Sequence, residues 1–407
     1  MSIRPNLAAP RLTRRLLTLV VLALAAVAFA APASSNAATR NVVVVGNAFG
    51  GTVSFLDGST YQNLGSMNIA PDRLTRKILI QLNPINLIGW NVVKSQKGGE
   101  NYVDDVALSN DGKTLYVSRG ILEDVAAFDI KTKQMKWRTD IGSFNSDHMA
   151  ITPDGTKLFV SATTDGKTKA INTATGAILG SAATGDYPHG VDISPDGKRV
   201  YVGSIGTTAL PYALNSLKGN KQLTVFDANT YAVQKTFKFD YGVRPTIITP
   251  DEKFAYFQRS YNRGFVEFNL TTGAITRSKT NLPATTAGDD LYPDNLPANS
   301  MHHGLSLSGD GTKICNAGTI DNYIAIVDKA SFNTLSVTGG FSKPYWSQTS
   351  QDGSKCLVSN STGNYVSVIN YATGLETNRV NVGNYPQRER LGVIDSSLVS
   401  TLSSSAG

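Results

Sequence analysis

Short apolar runs recur along this chain, each entered from a loop and each left through the same tight turn. The stretch 185–197, GDYPHGVDISPDG, shows the unit: a loop, an apolar strand, then Pro-Asp-Gly. Versions follow at 104–112 (DDVALSNDG), 147–155 (DHMAITPDG), 244–252 (RPTIITPDE), 303–311 (HGLSLSGDG) and 345–353 (YWSQTSQDG), six copies in all. A second signal follows each turn. A strand pattern ends in Asp or Asn and enters a short polar turn at Asp57, Asp129, Asn172, Asp227, Asn269, Asp328 and Asn370. These seven positions lie 72, 43, 55, 42, 59 and 42 residues apart. A period near 42 with four strand patterns per unit predicts a β-propeller. By subtraction from that period, the three long intervals carry insertions of about 30, 13 and 17 residues.

The mismatch of six against seven predicts how the ring closes. The chain opens at Asn41 with three strand patterns and no inner one, and residues 389–397 (ERLGVIDSS) read as a strand without a blade. An unclosed blade would expose apolar faces and an unpaired edge. The expected fold is therefore all-β, a seven-bladed propeller of four-stranded antiparallel blades, with the C-terminal strand completing the N-terminal blade. It spans residues 38–397, and 398–407 read as a flexible tail. No long amphipathic helix is expected.

Residues 1–37 stand apart. Arg4, Arg11, Arg14 and Arg15 precede an apolar run, 16–30, and then small residues to Ala37. This is the pattern of a secretory signal peptide, with a faint twin-arginine character at 13–17. The expected location is therefore exported, periplasmic or secreted, with no membrane span in the mature chain. The net charge of +7 from 38 basic and 31 acidic residues falls to +3 once that segment is set aside. No basic run interleaved with aromatics occurs, so nucleic acid is not an expected partner. The expected partner is a small molecule or a protein or cell-envelope ligand, and the expected state is a monomer.

The strand after each turn reads LYVS at 115–118, LFVS at 158–161, VYVG at 200–203 and CLVS at 356–359. With SPDGKRVYVG and VFDANT, this resembles the YVTN-repeat β-propellers of exported surface-layer and periplasmic proteins, over nearly all of the chain. The resemblance extends to the propeller domains of nitrous oxide reductase and cytochrome d1 nitrite reductase. It implies a fold and little about activity. No Cys-x-x-Cys-His motif is present, so covalent haem is not expected.

Cys315 and Cys356 fall at nearly equivalent places in adjacent units. They read either as a disulfide across neighbouring blades, which an exported protein permits, or as two buried thiols.

The insertions at 70–102, 205–221 and 281–301 all fall on one face by the geometry of a propeller, and long loops on a rigid scaffold are where binding residues gather. At the start of the inner strands, the aligned positions give Asp104, Asp147, His189, Arg244, His303 and Tyr345, then Asp105, His148, Gly190, Pro245, Gly304 and Trp346. The C-terminal loop adds Gln387 and Arg388. All four histidines, His148, His189, His302 and His303, fall at these channel entrances. Neighbouring residues of an extended strand face opposite ways, so only one of His302 and His303 is expected in the channel.

Three readings are open for the ring. His148, His189 and His303 can hold a divalent transition metal. His189 or His303 can act as acid or base, with Arg244, Asp104 and Asp147 in support. Or the side chains simply tie neighbouring blades together. Arg244, Tyr345, Trp346, Gln387 and Arg388 are the candidate ligand contacts. Asp289, Asp290 and Asp294 do not match an EF-hand spacing and read as turn residues. Two functions follow: a binding scaffold with its ligand at the channel on the inserted-loop face, or a channel-centred enzyme, either a metal-dependent oxidoreductase or a lyase or lactonase-type hydrolase.

Overall fold

The repeat becomes a ring because each polar turn is closed by its own side chain. In the computed structural model, which describes residues 38–280, 282 and 296–402, the Asx position ending each third strand accepts backbone N–H bonds from the turn that follows. Asn172 Oδ1 takes Thr175 N at 3.0 Å, and Asp227 Oδ1 takes Thr230 N at 2.8 Å. The Pro-Asp-Gly turns use a Ser or Thr with the Asp two residues on. Ser194 Oγ donates to Asp196 Oδ1 at 2.6 Å, which also accepts Lys198 N, and Gly197 takes the left-handed φ of 71° that the turn requires.

Seven antiparallel four-stranded sheets result. The first is completed by Pro386–Asp395, which pairs with Thr39–Asn47 from Asp395 opposite Thr39 to Pro386 opposite Asn47. The inner strands of the next six blades are Asp105–Leu108, Ser146–Ile151, Pro188–Ile193, Val243–Ile248, Leu305–Leu307 and Pro344–Thr349. The core is distributed: apolar clusters lie between successive blades around the ring. Cys315 and Cys356 sit in the cluster between the last two blades and are joined as a disulfide, with Cα atoms 6.4 Å apart.

Two expectations are corrected. The insertion at 70–102 folds as two helices, α1 (Arg73–Gln81) and α2 (Pro84–Lys97). Local chemistry favours α2: Asn83 caps it by accepting Ile85 N at 2.9 Å, Pro84 occupies its first turn, and Gly98 ends it in the left-handed region. Residues 398–402 are not a loose tail. They lie within and just after the 3-10 helix Ser396–Thr401, and Leu398 and Leu402 are buried in the cluster that also holds Trp90 and Val93 of α2. Residues 1–37, 403–407 and most of the 281–301 insertion, including Asp289, Asp290 and Asp294, lie outside the described residues.

Candidate functional site in the central channel

A repeated irregularity of the inner strands builds the site. Ser146 pairs with Ala162 and Met149 with Val160, so Asp147 and His148 together oppose a single residue. The same two-against-one bulge occurs at His189–Gly190 and Arg244–Pro245, and a one-residue shift occurs near Tyr345 and Gln387. A bulge re-aims side chains that strict alternation would send to opposite faces. Asp147 and His148 therefore both reach the axis. His302 and His303 precede the paired residues Leu305–Leu307 and point opposite ways. His303 enters the channel. His302 turns away, accepting Gly264 N at Nδ1 and meeting Asp321 at Nε2, 3.1 Å.

The ring converges. His189 Nδ1 lies 3.0 Å from Asp147 Oδ2, and His189 Nε2 lies 2.9 Å from His303 Nε2. His303 Nδ1 is 3.3 Å from the Tyr345 carbonyl, and its ring stacks on Tyr345 at 4.2 Å. His148 packs edge-on against His189 at 4.2 Å and accepts a hydrogen bond from Arg388 Nη2. Arg388 also reaches Asp104 Oδ1 at 3.4 Å. Ring nitrogens of His148, His189 and His303 lie within 4.8 Å of one another, as do ligand atoms of Asp104, Asp147 and His148.

Lys97, at the end of α2, was not foreseen. It comes down into the ring, with Nζ 2.8 Å from Asp104 Oδ2 and 3.8 Å from Asp147 Oδ1. Its motif is a bare Lys-Gly inside an insertion, so only the path of α2 reveals it. Gln96 accepts from Thr208 Oγ1 at 2.8 Å, which ties α2 to the 205–221 insertion. The inserted-loop mouth, expected to be the ligand surface, is thus covered. Beneath α2 a pocket of about 30 Å³ remains, against Lys97, His189, Arg244 and Tyr345, room for roughly one water. The other half of the channel, toward the Pro-Asp-Gly turns, holds a cavity of about 380 Å³. His148 and Trp346 line it, with Asp192 and Arg390 on its walls.

Charge is set by burial and neighbours. Burial pushes His189 down to about 4, against the pull of Asp147, and lowers His148 and His303 well below the usual imidazole range. All three are neutral at pH 7. Burial alone would lower Lys97, but the Asp104 and Asp147 carboxylates outweigh it and raise it. Burial and the nearby Asp147 charge push Asp104 up to about 6. Asp147 would also be raised by burial, but His189 and Lys97 hold it well below the usual range. Arg244, lowered by burial to about 10, stays charged. The upper ring thus carries three cations, Lys97, Arg244 and Arg388, against two carboxylates.

Other candidates take different roles. Arg244 makes no ion pair with the ring acids: its Nε donates to Ser260 Oγ at 3.2 Å and its Nη2 to the Ala298 carbonyl. The Trp346 ring is already engaged by cations, with Arg388 and Arg390 lying 4.7 and 4.8 Å from it. Arg390, also unforeseen, pairs with Asp105 at 3.0 Å. Gln387 is buried beside the ring, with its carbonyl accepting Ser359 Oγ at 2.9 Å. Several buried polar atoms here find no protein partner: Arg388 Nε and Nη1, Trp346 Nε1, Ser347 Oγ and Gln387 Oε1.

No protein-family model matches the chain, and no curated protein matches it. Among solved structures, a chain of Kuenenia stuttgartiensis hydrazine synthase is similar in fold, with a TM-score of 0.55 and 18% identity over 70% of this chain and 88% of that one. In all, 1656 solved chains match, so the architecture is widespread and does not select a chemistry.

Proposed function

We propose that this chain is an exported propeller of the YVTN kind that binds a small anionic ligand in its central channel, reached from the Pro-Asp-Gly face. Export is supported by the arginines and apolar run of 1–37, and the YVTN kinship by the turn-and-strand repeat. The observation that carries the binding reading is the channel itself. It is covered above by α2, and below it widens to about 380 Å³, within the range of small-molecule sites. Near the boundary lie a ring with more cations than carboxylates and buried donors without partners, Trp346 Nε1, Ser347 Oγ and two Arg388 nitrogens. Such groups are costly to leave unpaired and favour an oxygen-rich anion.

A second reading is favoured by one detail. A carbonyl and a carboxylate can only accept, so His303 and His189 donate through Nδ1 to Tyr345 and Asp147. Their Nε2 lone pairs then face each other at 2.9 Å, and His148 is close by. Histidines oriented from Nδ1 with converging Nε2 atoms are typical metal ligands. Charge weighs against it. A divalent ion about 4 Å from the Arg388 guanidinium is repelled by roughly 8 kcal/mol at an effective dielectric of about 20. Lys97 and Arg388 already neutralise both carboxylates.

The test is a thermal-shift titration with inorganic phosphate and a panel of small carboxylates, with neutral polyols as controls. Anions are expected to stabilise the protein by about 2.7 kcal/mol at a hundredfold excess over Kd. Trp346→Phe, which keeps the bulk and removes the donor, is expected to weaken that shift. Polyols matching the anions would reject the anionic reading. Near-stoichiometric Zn, Cu or Fe in natively purified protein, lost in His189→Ala/His303→Ala, would establish the metal reading instead.

A further inference from the structure

The helical insertion has two unlike sides, and only the inner one is used by the channel. On that side four of the hairpin's five cations turn to the protein's own carboxylates. Arg76 meets Asp124 at 3.6 Å, Lys77 and Lys94 both reach Glu100, and Lys97 reaches Asp104. Trp90 and Val93 are buried on the same side. The outer side is aliphatic. Leu74 is 70% exposed, Ile78 52%, Leu79 55%, Leu82 74%, Ile85 66% and Ile88 66%. No residue from 73 to 99 is acidic. Other exposed apolar residues of the described chain lie mainly on the outer strands and the 3-10 helix Tyr212–Leu217. With Leu87, 39% exposed, the hairpin concentrates seven in fifteen positions.

An apolar face of that size on a soluble surface marks an interface. Its occupant follows from charge and area. Because four of the five basic residues of α1 and α2 already face carboxylates of the chain, with exposed Arg73 the exception, little unpaired charge is left to complement an anionic bilayer. A charge-poor aliphatic face is complementary to itself, the requirement of a two-fold contact. The six most exposed of these residues expose on the order of 700 Å², close to the ~800 Å² per partner of a standard interface. We propose that two copies of this chain associate through the outer faces of their α1–α2 hairpins about a two-fold axis, forming a four-helix contact. The proposal does not depend on the ligand reading of the channel.

Sedimentation velocity on the full chain at micromolar concentration tests it, beside the variant Ile85→Asp/Ile88→Asp. Both positions are exposed in one copy, so the variant is expected to fold, with the wild-type circular dichroism spectrum and a cooperative thermal transition. The wild type is expected to sediment as a dimer and the variant as a monomer, at least a tenfold weakening of association. A monomeric wild type overturns the proposal, and so does a dimer that the two aspartates leave intact. Flotation with neutral and anionic vesicles is the companion measurement. Vesicle binding by a wild type that does not self-associate assigns the face to lipid and overturns the proposal.

Discussion

At the scale of single residues, burial decides charge. Glu389 lies on the inner strand of the first blade between Arg388 and Arg390, fully buried, and neither carboxylate oxygen has a partner. Burial raises it well above the usual 4.5, and Arg390 offsets this only in part. The folded state therefore favours the protonated acid. Its contribution to stability is fully present below the unfolded-state value and is lost as pH rises through the raised one. Glu389→Gln, which cannot ionise, is expected to match the wild type near pH 4 and to be more stable at pH 8 by about 1–3 kcal/mol. Urea midpoints at the two pH values check this. An equal gap at both would show that ionisation is not the cause. Elsewhere the ring shows the reverse logic: His189, pushed down to about 4, favours the fold above the usual imidazole range and loses that contribution as pH falls toward 4.

Among the elements, the bulge and the inserted helix do most to shape the site. Without the extra residue at Asp147–His148, one of the two would point into the blade instead of the channel. α2 then closes the mouth with Lys97, a position that belongs to no repeat. The second strands of the last two blades, Lys313–Gly318 and Lys355–Asn360, carry the disulfide across a blade interface. It closes a loop with a sequence separation of 41 residues, so the chain-entropy account gives roughly 3–4 kcal/mol. Cys315→Ser/Cys356→Ser is expected to lose about that much in a urea titration under non-reducing conditions. The same loss should follow when reductant is added to the wild type, and no loss in either would deny the bridge a stabilising role.

For the whole molecule, stability depends on ring closure. Pro386–Asp395 supplies the inner strand of the first blade, and Ile394, Leu398 and Leu402 complete the largest apolar cluster. A chain ending at Asn384 would expose the edge of Thr39–Asn47 and open two blade interfaces. It is expected to lose the cooperative thermal transition and to aggregate or bind a hydrophobic dye. A soluble truncated chain with a wild-type transition would show that the clasp is dispensable.

What the sequence by itself determined is the architecture. Turn chemistry is local: an Asx side chain such as Asn172 or Asp227 closes a turn with residues two or three positions on, so the blade count and the closing strand were legible. Alternation also allowed only one of His302 and His303 into the channel, and in the structure it is His303. The ring candidates were legible as a set for the same reason, since they share one position of the repeat. Only the tertiary structure decided which of them meet. His189 and His303 touch across 114 residues of sequence, Asp147 and His148 share the channel through a bulge that leaves no composition signal, and Lys97 arrives from a helix outside the period. Contacts between distant segments depend on where the backbone places side chains to within an ångström or so. The repeat specifies the frame but not that placement.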